Sequence, residues 1–260
     1  MQPSIRIIRD KELPAKFNMA ADRLLLARVQ SSPEVTLRFY GWSPPAISLG
    51  CMQDPATLLD FGALARGGLE WVKRPTGGRA VLHWNDITYS CVFSTHLSCF
   101  GNTIRQTYAL FSRCLMNGLA TAGVDCRAQD SEAEFTATKR DLKLPCFLSP
   151  NRDEIMARGK KLAGSAQKRT GDAVLQHGSI PVDGSFRQLP EFLAMPAAGR
   201  ERQKTLLGKK CICLEEMAPD SDKEYFIDCL IKGFVEVLGI KASEKAWDEE
   251  ELSEINRSPS

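Results

Sequence analysis

Apolar positions recur at helical spacing in three stretches of the chain. From Asn18 to Val29, residues Met19, Leu24, Leu25, Leu26 and Val29 mark one face, and Ser31, Ser32 and Pro33 end it. From Thr103 to Ala122, residues Ile104, Tyr108, Leu110, Phe111, Leu115 and Leu119 predict a long core helix, with Gly123 as its stop. A third, Asp222 to Leu238, is amphipathic and closed by Gly239. Between the first two the period shortens to strand spacing. Strands are predicted over Val35 to Tyr40, Ala46 to Leu49, Leu69 to Lys73, Ala80 to Leu82 and Ile87 to Phe93. After a polar stretch from Asp125 to Pro150, three more follow: Glu154 to Ala157, Lys161 to Ala166, and Ala173 to Val182. Ser185 to Ala194 reads as a short helix and Arg200 to Lys210 as a basic connector.

No internal repeat or flexible linker divides the chain, so the pattern predicts one α/β (α+β) domain. The expected organisation is a globular domain over residues 1–240 and an acidic C-terminal tail over 241–260, partly disordered after Trp247. Hydrophobic residues make up 43% of the 260, enough for a sizeable core, and a net charge of +2 gives no global field for nucleic acid. The first ten residues lack an apolar signal core, and no apolar run approaches the ~20 residues of a membrane span. A cytoplasmic location and no membrane partner are expected. Nine cysteines, odd in number and scattered, read as reduced thiols; Cys211-Ile212-Cys213 has no neighbouring histidine, so no metal site is expected.

Three segments carry candidate chemistry. In Lys73 to His83, Gly77 and Gly78 form a turn that allows close approach of a ligand to the backbone, and Arg74 and Arg79 add fixed donors. The same spacing describes a tight hairpin with solvated arginines. In Gly159 to Gln167, strand alternation places Lys161, Ala163 and Ser165 on one face and Leu162 and Gly164 on the other. Lys161 then points into a pocket or stands solvated at a strand start. Cys146, between Pro145 and Phe147, is a loop thiol upstream of that strand, and a free cysteine is more often a small core residue. His83 and His177 are each a base or a structural donor.

In order, Asn18-Met19-Ala20-Ala21-Asp22, Tyr40-Gly41-Trp42, Leu49-Gly50, R-P-T-G-G-R-A-V-L-H (74–83), Asp86-Ile87-Thr88-Tyr89-Ser90, G-K-K-L-A-G-S-A-Q-K-R (159–169) and L-Q-H-G-S-I (175–180) resemble the lipoate-protein ligase A, octanoyltransferase and biotin-protein ligase superfamily. The resemblance spans roughly Asn18 to Val182. It implies a single catalytic domain of mixed, largely antiparallel sheets packed by helices. A cysteine followed by phenylalanine shortly before G-K-K is similar to the octanoyltransferase branch.

That branch implies an octanoyl donor on acyl carrier protein, an acyl-cysteine at Cys146 with Lys161 as its partner, and an acceptor lysine on a lipoyl domain or a glycine-cleavage H protein. Arg74, Gly77, Gly78, Arg79, His83, Gly164, Ser165 and His177 are then the expected substrate-binding residues, and neither ATP nor metal is expected as cofactor. Tyr40, Trp42 and Val81 are candidate lining for the acyl chain, and Lys160, Lys168 and Arg169 for docking of an acidic carrier. The rival readings are an ATP-dependent lipoate-protein ligase, an amidotransferase moving lipoyl or octanoyl groups between proteins, and a silent acyl-binding protein.

Overall fold

The computed structural model describes residues 4–29, 35–129 and 154–258. Cys146 therefore lies outside the described residues. An eight-stranded sheet runs in the order β11-β1-β2-β6-β10-β9-β8-β7. Its strands are β1 Ser4–Leu13, β2 Val35–Trp42, β6 Asp86–Ser94, β7 Arg127–Ala128, β8 Ile155–Ala157, β9 Lys160–Thr170, β10 Ala173–Pro181 and β11 Lys241–Glu244. A smaller sheet pairs β4 Glu70–Lys73, β3 Ala46–Leu49 and β5 Val81–His83. Parallel pairs occur at β11-β1, β1-β2 and β3-β4, and the other pairs are antiparallel, so the sheets are mixed and largely antiparallel as expected.

Helices α4 Ile104–Thr121 and α6 Lys223–Leu238 cover one face of the large sheet. Their ends follow local chemistry: Thr103 and Gln106 form a capping box, Asp222 caps Tyr225 N, and Gly239 closes α6 in the left-handed region. The two helices cross where Gly118 meets Gly233. A Cβ on Gly233 would lie 2.4 Å from the carbonyl oxygen of Cys114, so only glycine permits this approach. In the core beneath, Phe93 stacks with Phe100 and Phe111, and Phe234 meets Phe111 edge-on.

Helix α1, Ala15–Arg28, covers the opposite face. It begins earlier than the Asn18 predicted as its start, because the Asn18 amide is inside the helix, donating to Leu13 O and Gly41 O and accepting from Arg38. Among the described residues the remaining helices are α2 Pro55–Leu58, α3 Phe61–Gly67, α5 Ala197–Lys210 and α7 Glu249–Arg257, with 3₁₀ stretches at Ser98–Phe100 and Gly184–Phe192. Two readings are corrected here. The segment 200–210 is helix rather than connector. The segment after residue 240 is built into the fold: β11 pairs with β1, and Glu251 on α7 forms a buried two-pronged bond with Arg6. Trp247 bonds Asp10 and lies over Arg6 and Arg38. No described helix is long and apolar enough to cross a membrane.

Candidate active site

The registers of four strands align one residue from each into a straight row. Gly164 on β9 pairs with Ser179 on β10, Ser179 with Thr88 on β6, and Thr88 with Tyr40 on β2. All four line one cavity, of about 460 Å³ including its open mouth, which is also walled by Met19, Trp42, Ser48, Arg74, Val81, His83, Ala166 and His177. With neighbouring strands about 4.8 Å apart, the row is a trough roughly 14 Å long. Its Tyr40 end is closed by large side chains, Trp42 and Met19 packing with Tyr40.

The hydroxyls of the floor are hydrogen-bonded within the protein. Thr88 Oγ1 and Ser179 Oγ donate to Asp86 Oδ2 at 2.9 and 2.5 Å, and Thr88 Oγ1 accepts from Trp42 Nε1 at 2.8 Å. A satisfied hydroxyl costs little to cover with apolar matter, so the trough suits an aliphatic chain.

Two histidine chains flank it. His83 Nδ1 bonds Asp86 Oδ2 at 2.8 Å, its Nε2 bonds Ser48 Oγ at 2.8 Å, and its ring stacks on Trp42 at 4.0 Å. His177 Nδ1 bonds Asp22 Oδ2 at 3.2 Å and its Nε2 bonds Thr76 Oγ1 at 2.7 Å. Burial pushes the His177 pKa down, against the pull of Asp22, and favours the neutral ring. Burial alone would push the Asp22 and Asp86 carboxyls up. Bonds from His177, Arg38 and Ser90 to Asp22, and from His83, Ser179 and Thr88 to Asp86, outweigh it and hold both below the ordinary carboxylate range. Both histidines are thus held on two sides by the fold, and each still lines the cavity.

Lys161 stands at the Gly164 end. It is 3% exposed, and its Nζ lies 2.5 Å from Oε1 of Glu154, itself 6% exposed. The predicted alternation is wrong at this point. Ile155 pairs with Ala163 but Met156 pairs with Lys161, so Leu162 is an extra residue on β9, a bulge. Leu162 and Ala163 both enter the core, and Lys161 moves to the face of Gly164: a Cβ on Gly164 would lie 3.5 Å from Lys161 Nζ. Lys161 does point into the pocket region, sharing a face with Gly164 rather than with Ser165, whose hydroxyl bonds Tyr89.

The glycine turn is scaffold more than surface. The Arg74 guanidinium donates to the carbonyls of Ser48, Gly77 and Arg79, holding the loop from inside while also lining the cavity. Gly50 is pressed against Gly78, where a Cβ would meet the Gly78 oxygen at 2.0 Å. Gly77, Gly78 and Arg79 do not line the cavity. Of the basic residues expected at a docking surface, Lys160 donates to Gly208 O and Arg169 bonds Gln167 and Thr107, leaving Lys168 exposed.

Asp22, Asp86, Thr76, Ser179 and Glu154 were not singled out from sequence. Asp22 and Asp86 did stand in the family-like motifs, each an acid in or beside a segment predicted as a helix or strand, and that is the signal that would have found them. Among the described cysteines, burial pushes the thiols of Cys91, Cys99 and Cys213 up, those of Cys114 and Cys126 to about 12 and about 11. No cluster of three or more metal-ligating side chains occurs among the described residues.

Residues 14–235 match the lipoyl protein ligase A/B catalytic domain. The chain is 34% identical to an octanoyltransferase LipM of Kyrpidia tusciae, covering 96% of this chain and 93% of that protein, and 34% identical to an octanoyltransferase LipM of Geobacillus kaustophilus, covering 94% and 92%. In structure it superposes on a bipartite lipoate protein ligase of Thermoplasma acidophilum with a TM-score of 0.78 at 20% identity, covering 98% of this chain and 91% of the other. A lipoate-protein ligase A bound with ATP gives 0.76 at 23%, covering 98% and 93%. The fold is therefore that of the lipoate ligases, as the motif order implied. Along nearly its whole length the chain follows its octanoyltransferase relatives, and it belongs to the lipoyl protein ligase A/B catalytic domain family as an acyltransferase.

Proposed function

We propose that the chain moves an octanoyl group from acyl carrier protein, through a thioester on Cys146, to a lysine of a lipoyl domain or glycine-cleavage H protein. The observation that carries this reading is the aligned row Gly164-Ser179-Thr88-Tyr40 with a buried lysine beside its Gly164 end. Eight carbons joined by bonds of about 1.5 Å span roughly 9 Å as a zigzag, which fits a 14 Å trough between Lys161 and the Tyr40 wall with room for the carbonyl. Burying six methylenes at ~0.8 kcal/mol each contributes roughly 5 kcal/mol, enough to reject much shorter chains.

The chemistry follows from the groups present. A thiol with an ordinary pKa near 8.5 is only about 3% thiolate at pH 7, and a nearby ammonium raises that fraction. The Cys146 thiolate attacks the donor thioester carbonyl; the new C–S bond forms as the carrier's C–S bond breaks. The acceptor amine then attacks the acyl-cysteine, an amide forms, and the amine proton accompanies the departing thiolate. Thioester exchange is close to isoenergetic and the amide supplies the driving force, so the reading needs no ATP. Lys161 is the cation that steadies negative charge on sulfur and on the carbonyl oxygen. His83 and His177, each held by a carboxylate, fix the walls around the chain. For the carrier, exposed Lys209 and Lys210 adjoin the Lys161 end, since they directly precede Cys211, which is bridged to Lys161.

The test is transfer with purified components. Octanoyl from carrier protein to an acceptor domain without ATP is expected, and Lys161→Ala abolishes formation of the acyl-enzyme. Attachment of free octanoate that requires ATP and no carrier would instead identify a ligase.

A further inference from the structure

A buried amine beside a thioester has two possible chemistries. Protonated, Lys161 is a cation that steadies negative charge. Deprotonated, it is a nucleophile, and burial favours that neutral form. Its place is hazardous: Nζ lies against Gly164, on the row along which the acyl chain runs. The neutral Nζ would attack the octanoyl carbonyl, forming a C–N bond as the C–S bond breaks, with one amine proton passing to the departing thiolate. The product, an amide on Lys161, is not reversed by a further amine, so each event removes one enzyme molecule.

Glu154 opposes this. Its Oε1 is bonded to Nζ at 2.5 Å, with both side chains almost fully buried. A carboxylate at this distance favours the ammonium over the amine. The carboxylates of Asp22 and Asp86 serve the histidines, whereas Glu154 is bonded to the cation at the reacting end. The β9 bulge at Leu162 is what makes the pair, because it turns Lys161 off the face that strict alternation would give it.

We propose that Glu154 is a positioning residue that keeps Lys161 protonated and thereby prevents the enzyme from acylating itself. The proposal rests on the transferase reading, since it needs a thioester held at the Lys161 end of the trough. It assigns Glu154 a function that a purely structural ion pair would not have: protection of a catalytic amine from its own substrate.

The experiment incubates the full chain, as wild type, Glu154→Gln and Glu154→Asp, with octanoyl-carrier protein and, in parallel, with the small thioester octanoyl-N-acetylcysteamine, without acceptor. Intact mass is read before and after neutral hydroxylamine, which cleaves thioesters and leaves amides, and the adduct is located by peptide mapping. Glu154→Gln is expected to accumulate at least tenfold more hydroxylamine-resistant octanoyl on the Lys161 peptide than wild type, and Glu154→Asp, which keeps the carboxylate, to stay near wild type. A folded Glu154→Gln with no excess amide on Lys161 would overturn the proposal. A wild type inert toward the carrier would sink the donor assignment instead, while the small thioester still reads the Lys161 amide. A variant-free check is ¹⁵N NMR of the wild-type Lys161 Nζ at neutral pH: an ammonium signal supports the role of Glu154, and a neutral amine refutes it.

Discussion

Along β6, Ile87, Tyr89, Cys91 and Phe93 face α4 and α6, whereas Thr88 and Ser90 face α1 and the cavity. Every residue of this strand is buried, so burial does not distinguish the two faces; chemistry does. The α4/α6 face is aromatic and aliphatic and is held by area and packing. The cavity face is a set of carboxylates, each holding a histidine and two or more hydroxyl or guanidinium donors. The first kind of face tolerates a shift in shape and loses stability in proportion to volume. The second fixes the positions of individual atoms and leaves a buried charge exposed to its consequences when one member is removed.

The comparison breaks most clearly in stability. Phe93→Ala on the core face is expected to cost about 3–5 kcal/mol, read by urea unfolding, with the activity of the folded fraction retained. On the cavity face Asp22→Asn is expected to cost about 1–3 kcal/mol at pH 7, because it weakens the bonds from Arg38, Tyr40, Ser90 and His177, although Arg38 keeps its ion pair with Asp10. It also changes the acid limb. The Asp22 carboxyl is held below its unfolded value, so its contribution is fully present above about pH 4 and lost as the pH falls through the folded pKa. The depressed His177 acts with the same sign, since the unfolded chain takes up its proton first as pH drops below about 6.5. Unfolding curves from pH 7 to pH 3 should therefore fall for the wild type and fall less steeply for Asp22→Asn below pH 4, where Asp86 still titrates; equal slopes would remove Asp22 from the account. The smallest effect is on selectivity. Met19→Ala opens the closed end of the trough by about two methylenes' worth of space and is expected to move relative kcat/KM about tenfold from octanoyl toward decanoyl donors. An unchanged chain-length profile would place the end of the slot elsewhere.

What the sequence makes legible follows from the range of the interactions that decide it. Helices α4 and α6 announce themselves because their caps, Thr103, Asp222 and Gly239, are local. The turn at Arg158-Gly159, with both residues in the left-handed region, is equally local and falls in the gap between the strands predicted over Glu154 to Ala157 and Lys161 to Ala166. The segment after residue 240 reads as an acidic tail in the sequence, because nothing near Glu251 reveals that its partner is Arg6, far away along the chain. Strict alternation placed Lys161 with Ser165, and a single inserted residue, Leu162, reversed that; a bulge leaves no mark in a period-two pattern. Arg79 and the two turn glycines were expected at the ligand because basic residues and glycines accompany anion sites, but Arg74 spends its donors on the turn itself. Lys161, His83, His177 and the candidate lining residues Tyr40, Trp42 and Val81, all singled out in the sequence, lie at or beside one cavity.

In the proposed reaction the acyl group passes through Cys146 and the Lys161–Glu154 pair guards it. Its most direct measurement is the intact mass of the purified enzyme after mixing with octanoyl-carrier protein, with the adduct mapped by peptide. The account predicts one hydroxylamine-sensitive octanoyl group on the Cys146 peptide, absent in Cys146→Ala. An octanoyl group mapped to another thiol such as Cys211, or full transfer by Cys146→Ala with no covalent adduct, would contradict it.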